Sequence, residues 1–184
     1  MAKRLVLVTG NLHKLEEVTA ILDGWIVIGH EIDVAETGST FEENALLKAR
    51  AGAAELGELV VGDDSGIEID ALGGAPGIHS ARWTAESDWI PRVLREVAEV
   101  PDEKRTCRYV CAAAAAWPDG REAVVRGTVE ATIAPAARGS GGFGYDPIVV
   151  PLEGDGRTFA ELNPAEKNAL SHRARAFRSL LPLL

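Results

Sequence analysis

Apolar residues run without a break from Leu5 to Val8 and stop at the polar turn Thr9-Gly10-Asn11. A short continuous run closed by a turn signal predicts a buried strand over 4–11. The spacing of Leu15, Val18 and Leu22 then fits one face of a helix, and "WIVIG" at 25–29 predicts a second short strand. In "TFEENALLKARAGAAELG", Thr40 and Glu43 form a capping box and Gly57 supplies a stop, so a helix is expected between them. "LVVGD" predicts a strand that ends at the acids Asp63 and Asp64, and "GIEID" a short separate strand after it. Residues 86–99 read as a helix with a boundary near Pro91. Two long apolar runs, 106–117 and 122–134, flank Pro118-Asp119-Gly120 and predict an antiparallel hairpin. A glycine-rich loop at 139–146 enters a strand, and the last helix begins at Asn163 with Pro164 first and Glu166 completing a second capping box. Its apolar stripe, Leu170, Ala174, Phe177 and Leu181, predicts one continuous helix headed by Lys167.

Helices alternating with strands, followed by a long hairpin, imply an α/β fold: a mixed sheet covered by helices, with ligands near strand ends. The chain has 184 residues and no repeat or linker composition, so a single domain over 1–184 is expected. The net charge of −9 argues against nucleic acid or an anionic membrane as partner, since both need a basic footprint. The apolar stretch at the N-terminus is too short for a signal peptide, and "YVCAAAAAW" is too short for a membrane span. Cys107 and Cys111 on one strand would lie roughly 13 Å apart, too far for a disulfide. A reduced, cytoplasmic protein is the expectation.

Charge pattern supplies the candidate chemistry. The turn "TGNLHK" at 9–14 joins a buried strand to a helix, a place where backbone N–H groups favour phosphate. Lys14 in the first helical turn is opposed by the helix dipole unless an anion sits beside it. The glycine-rich phosphate loop ending in Lys-Ser/Thr is absent, and the segment is equally compatible with an ordinary strand–helix turn. Asn44 and Lys48 share one helix side, with Glu36 in the loop before them. Asp63 and Asp64 point to opposite faces of their strand, so different tasks are expected: one holding charge on a metal, the other acting as a base. Phe143, between glycines, could present its ring to a nucleobase or simply pack. Ser171, His172 and Arg173 follow Lys167 closely and suit anion or base-edge recognition. No His/Cys set has zinc spacing, and no Ser-His-Asp order stands out.

In this order, "TGNLHKLEE", "ETGSTFEENALLKAR", "DDSGIEIDALGGAPGIHSAR", "GGFGYDPI" and "EKNALSHR" resemble the inosine/xanthosine triphosphate pyrophosphatase family over nearly the whole chain. The resemblance implies an elongated mixed central sheet flanked by helices, two lobes with a deep substrate cleft, and a homodimer. It further implies Mg²⁺-dependent hydrolysis of ITP, dITP and XTP to the monophosphate and pyrophosphate. By the same resemblance, Thr9, Gly10, Asn11, Leu12, His13 and Lys14 contact substrate, and Lys48 joins Lys14 on the phosphates. Asp64 is the general base and a metal ligand, helped by Glu36 and Asp63, while Ser65 binds substrate. Phe143, Gly144, Tyr145 and Asp146 line the purine, and Lys167, His172 and Arg173 complete the base and ribose pocket. The segment after Arg82, "WTAESDWIPRVLREV", departs from the family pattern: it is shortened and lacks an asparagine-bearing helix. His13 stands where many members carry glycine. Related enzymes that prefer modified pyrimidines, or a non-catalytic nucleotide sensor, are the competing readings; a mere binder has no need of the acids.

Overall fold

A computed structural model describes residues 3–184. Its six strands form one sheet in the order β2-β1-β3-β4-β5-β6. They are β1 (Lys3–Val8), β2 (Trp25–His30), β3 (Val60–Ile69), β4 (Thr106–Ala116), β5 (Glu122–Ile133) and β6 (Val149–Pro151). β1 is parallel to both β2 and β3, whereas β5 and β6 are antiparallel, so the sheet is mixed as expected. The helices are α1 (Leu12–Ile21), α2 (Phe41–Leu56), α3 (Trp89–Glu96), α4 (Pro164–Leu170) and α5 (His172–Leu180).

The chain divides into two compact units. Unit 1 comprises Met1–Ser65, Cys111–Gly127 and His172–Leu184, and unit 2 comprises Gly66–Val110 and Thr128–Ser171. Each has its own core. In unit 1, Leu5 and Leu7 of β1 and Val61 of β3 pack with Val18 of α1 and with Phe177 and Leu180 of α5. In unit 2, Ile67 and Ile69 of β3 and Tyr109 of β4 pack with Val93, Ile148 and Phe159. β3, β4 and β5 each supply residues to both units.

Three sequence expectations change. β3 does not stop at Asp63 and Asp64 but runs on to Ile69, absorbing the expected separate strand at 66–70. Strands normally avoid mid-strand acids; here both carboxylates find compensating groups, described below. The C-terminal helix is two helices, because Ser171 leaves the helical region (φ −68°, ψ 148°) between α4 and α5. Lys167 and Arg173 therefore stand on different helices and in different units. The capping box at α2 is half formed: Thr40 accepts from the Glu43 N–H, but the Glu43 carboxylate accepts from Ser39 instead. The box of Asn163 and Glu166 is complete.

One glycine sets how near α2 comes to the sheet. A Cβ on Gly62 would lie 2.6 Å from the Ala45 carbonyl oxygen, 2.7 Å from Lys48 Cβ and 2.8 Å from Ala49 N. These are distances that no side chain tolerates, so the helix backbone rests on the strand where a hydrogen atom replaces a methyl. The same approach brings Lys48 within reach of β3, its ammonium donating to the Asp63 carbonyl at 3.0 Å. Gly62→Ala is expected to cost about 1–3 kcal/mol through overpacking, measured by denaturant unfolding. A change within a few tenths of a kcal/mol would show that α2 yields without cost.

Candidate active site

β3 delivers Asp63 and Asp64 to opposite faces, as successive strand positions must. On one face, Asp63 meets α1 and α5. Its Oδ2 accepts from Lys14 Nζ at 2.9 Å and from Ser65 Oγ at 2.9 Å, and Arg173 Nε lies 3.8 Å away. Its Oδ1 is buried and accepts no hydrogen bond. Arg173, almost fully buried, also pairs with Glu17 of α1 and reaches Ser65 Oγ at 3.4 Å. Glu17 lies one helical turn after Lys14, so α1 presents a cation and an anion from one side. Burial opposes ionisation of Asp63, yet Lys14, Arg173 and Lys48 outweigh it and hold the carboxyl well below the usual carboxylate range. The same charges on Asp63 and Glu17 offset the burial of Arg173.

On the other face, Asp64 meets α2. Asn44 Nδ2 donates to its Oδ2 at 3.1 Å, Ser65 N donates to Oδ1 at 3.0 Å, and Lys48 Nζ stands 3.7 Å from Oδ1. Burial dominates here and raises the Asp64 pKa against the pull of Lys48 and Lys14. The Lys48 ammonium also contacts Glu36 at 2.5 Å. Two neighbouring carboxylates thus have opposite protonation tendencies, one held ionised by three cations and the other made more basic by burial.

At the head of α1, Asn11 caps the helix by accepting from Lys14 N, and Thr9 Oγ accepts from Asn11 N. Gly10 lies against Glu31, where a Cβ would come within 2.8 Å of its carboxylate, while Leu12 and His13 are exposed. The anion that accounts for Lys14 opposing the helix dipole is the chain's own Asp63.

The remaining candidates form a second cluster within unit 2. The loop before β6 turns on glycines at positive φ, Gly142 (66°) and Gly144 (63°). Asp146 is buried and accepts from Phe143 N at 2.8 Å, Lys167 Nζ at 2.5 Å and Tyr109 Oη at 3.0 Å. The Lys167 ammonium lies 4.7 Å from the centroid of the Phe143 ring. Tyr145 is buried, stacks on Trp89 at 5.4 Å with a 17° interplanar angle, and donates its hydroxyl to the Ser80 carbonyl at 2.8 Å. Its hydroxyl is therefore used by the protein itself. His172 is buried at the start of α5, whose backbone lies against β5 at Gly127: a Cβ there would come within 2.2 Å of the His172 carbonyl oxygen.

The structure thus groups Lys14, Lys48, Glu36, Asp63, Asp64, Ser65 and Arg173 in unit 1, and Phe143, Asp146 and Lys167 in unit 2. The expectation that Lys167 and Arg173 act as near neighbours on one helix is corrected by the break at Ser171. Arg173 belongs with Asp63, and Lys167 with Asp146. The sequence singles out Asn44 beside Lys48 on one helix side, whereas Glu17 and Tyr109 enter no sequence-based site. Helical spacing from Lys14 signals Glu17, but nothing in the strand "TCRYVC" signals Tyr109. Both cysteines are free and buried; burial pushes Cys111 up to about 12, which makes it a poor nucleophile. Among the described residues, no three carboxylate, His or Cys side chains gather in a metal-ready group. No helix among them is long and apolar enough to cross a membrane.

Fold and site together define an α/β protein with a charge-compensated pair of aspartates on a central strand. A model of the Ham1 family matches residues 5–183, and the chain belongs to that family. It is 50% identical to the dITP/XTP pyrophosphatase of Symbiobacterium thermophilum, over 99% of this chain and 95% of that protein. It is 48% identical to the dITP/XTP pyrophosphatase of Streptomyces coelicolor, over 98% of this chain and 96% of the other. The structure of the Staphylococcus aureus Ham1 protein superposes with a TM-score of 0.86 at 37% identity, covering 98% and 97% of the two chains. That of the nucleoside-triphosphatase / dITP/XTP pyrophosphatase from Mycobacterium abscessus gives 0.77 at 41% identity, covering 97% and 99%.

Asp63→Asn keeps the side-chain shape but leaves Lys14 and Arg173 facing a neutral group in a buried site. A loss of roughly 3–5 kcal/mol is expected, the usual cost of breaking a buried ion pair from one side. Denaturant unfolding at neutral pH checks it. Because the Asp63 pKa is depressed in the folded state, its contribution is present above the unfolded value of about 3.9 and is lost as pH falls further. The stability gap between wild type and variant should therefore stay constant from neutrality down to that pH and close only below it.

Proposed function

We propose that this protein hydrolyses non-standard purine nucleoside triphosphates, ITP, dITP and XTP, to the monophosphate and pyrophosphate. The observation that carries the reading is the contrast between the two aspartates: Asp64 has its pKa raised by burial, while Asp63 is held ionised by Lys14, Arg173 and Lys48. A carboxylate made more basic can take a proton from water, and a neighbour that stays charged cannot compete for it. The names borne by the relatives support the same chemistry.

In this reading Asp64 is the general base. It removes a proton from a water that attacks the α-phosphorus, and pyrophosphate departs. Lys14 and Lys48 neutralise charge on the phosphate oxygens, with Thr9 to His13 and Ser65 lining the phosphate side. Oxygen donors and a place for positive charge suit a hard divalent cation: Glu36 and Asp64 both approach the Lys48 ammonium. We assign Mg²⁺ to Asp64 and Glu36, which both stand beside Lys48, with Asp63 on the opposite face of β3 helping only through its charge. When bound, Mg²⁺ supplies charge neutralisation at the phosphates. Within unit 2, Phe143, Gly144, Tyr145, Asp146 and Lys167 are assigned the base and ribose, whereas Arg173 serves Asp63 and Glu17 in unit 1. Discrimination against adenine follows if donors meet the 6-oxo group, since a 6-amino group leaves them unpaired. A cytoplasmic homodimer belongs to the same reading and rests on the family resemblance.

Incubation with Mg²⁺ and a panel of ITP, dITP, XTP, ATP and GTP, followed by ³¹P NMR of the products, tests the reaction. Monophosphate and pyrophosphate are expected from the first three; orthophosphate with a diphosphate would overturn attack at the α-phosphorus. Asp64→Asn should lower kcat at least 100-fold, the lower range of general-base contributions, while nucleotide binding survives.

A further inference from the structure

The glycine-rich loop of unit 2 folds back on one carboxylate. Asp146 Oδ2 accepts from Phe143 N at 2.8 Å and from Lys167 Nζ at 2.5 Å. Gly142 wraps so closely that a Cβ there would lie 2.0 Å from the same oxygen. The orientation of this carboxylate therefore sets both the backbone at Phe143 and the ammonium that stands over the Phe143 ring. The other oxygen, Oδ1, accepts from Tyr109 Oη at 3.0 Å.

Tyr109 lies on β4, outside every motif that points to nucleotide chemistry. Its ring is buried and packs on Phe159, centroids 5.4 Å apart and tilted by 54°. Packing alone would be served by phenylalanine. The phenol is neutral and able to donate, because burial and the Asp146 charge push its pKa well above the ordinary value. Tyr145, two residues after Phe143, is held separately by its stack on Trp89 and its hydrogen bond to the Ser80 carbonyl. The Tyr109 hydroxyl thus acts on the group of Asp146, Lys167 and Phe143.

We propose that Tyr109 is a positioning residue for base recognition: its hydroxyl orients the Asp146 carboxylate, which places the Lys167 ammonium and the Phe143 ring. The inference rests on the assignment of Phe143 and Lys167 to the base. With phenylalanine at 109, Oδ1 loses its donor in a buried site. The carboxylate then turns toward Lys167, and the ammonium leaves its place over the ring.

The test compares Tyr109→Phe, Phe143→Ala and wild type on two substrates, ITP and ribose 5-triphosphate, which carries no base. Values of kcat and KM are measured separately, with thermal unfolding alongside. Tyr109→Phe should raise KM for ITP roughly fivefold to tenfold, the scale of one typical net hydrogen bond, with kcat little changed. The effect should be absent with ribose 5-triphosphate. A lower kcat on both substrates, with unchanged KM and a lower melting temperature, would make Tyr109 merely structural and overturn the inference. If Phe143→Ala raises KM for ITP while Tyr109→Phe does not, the inference fails and the base assignment stands. If Phe143→Ala leaves KM for ITP unchanged, the base assignment itself fails and takes the inference with it.

Discussion

A fully buried carboxylate at the middle of a strand is tolerable only when cations meet it there, and Asp63 is met from three elements. Lys14 comes from α1, Arg173 from α5, and Lys48 from α2 reaches the backbone carbonyl behind it. Removing any one leaves charge in a low-dielectric interior, where an unpaired ion costs several kcal/mol. The placement of α1, α2 and α5 on the sheet of unit 1 and the ionisation of Asp63 are thus one constraint. Ser65 and Glu17 complete it, the first by donating to Asp63 and the second by sharing Arg173.

The neighbour gains its properties from being left out of that arrangement. Asp64 faces α2, where an amide and a more distant ammonium stand in for the direct ion pairs of Asp63. Burial therefore wins, and its proton affinity rises. One covalent step along the strand separates an acid that stays ionised from one that can cycle a proton. The two-residue period of a strand makes this possible, because it sends adjacent side chains into different electrostatic surroundings. Unit 2 handles its buried acid by another means: Asp146 is met by one cation, one phenol and one backbone N–H, a set that fixes the shape of a glycine loop.

Much of this was legible in the residues. The buried strand at β1, the cap at Thr40 with the stop at Gly57, the Pro118–Gly120 turn and the cap at Asn163 each carry a local cause, and each stands close to where that cause puts it. The site acids, Lys14 and Lys48 were legible through helix and strand periodicity and through the family resemblance. The run of β3 through its acids was not, because a local rule treats paired aspartates as a strand end and cannot see cations arriving from helices distant in sequence. The break at Ser171 was hidden by an apolar stripe that continues across it, since α4 and α5 bury their faces in different cores. Tyr109 was hidden for a similar reason: an alternating strand marks it as core, and its hydroxyl gains meaning only from Asp146.

The sequence by itself determined most helices and strands, though neither the full run of β3 nor the break at Ser171, together with which residues carry charge and that adjacent acids on β3 must face opposite ways, because propensity, capping and periodicity act over a few residues. Tertiary structure alone decided which cation meets which acid. Gly62 admits α2 to the strand, α5 brings Arg173 beside Glu17 and Asp63, and the loop of unit 2 closes on Asp146. Those pairings set the two aspartates' opposite pKa shifts, since Coulomb energy and desolvation depend on distance and burial rather than on order along the chain.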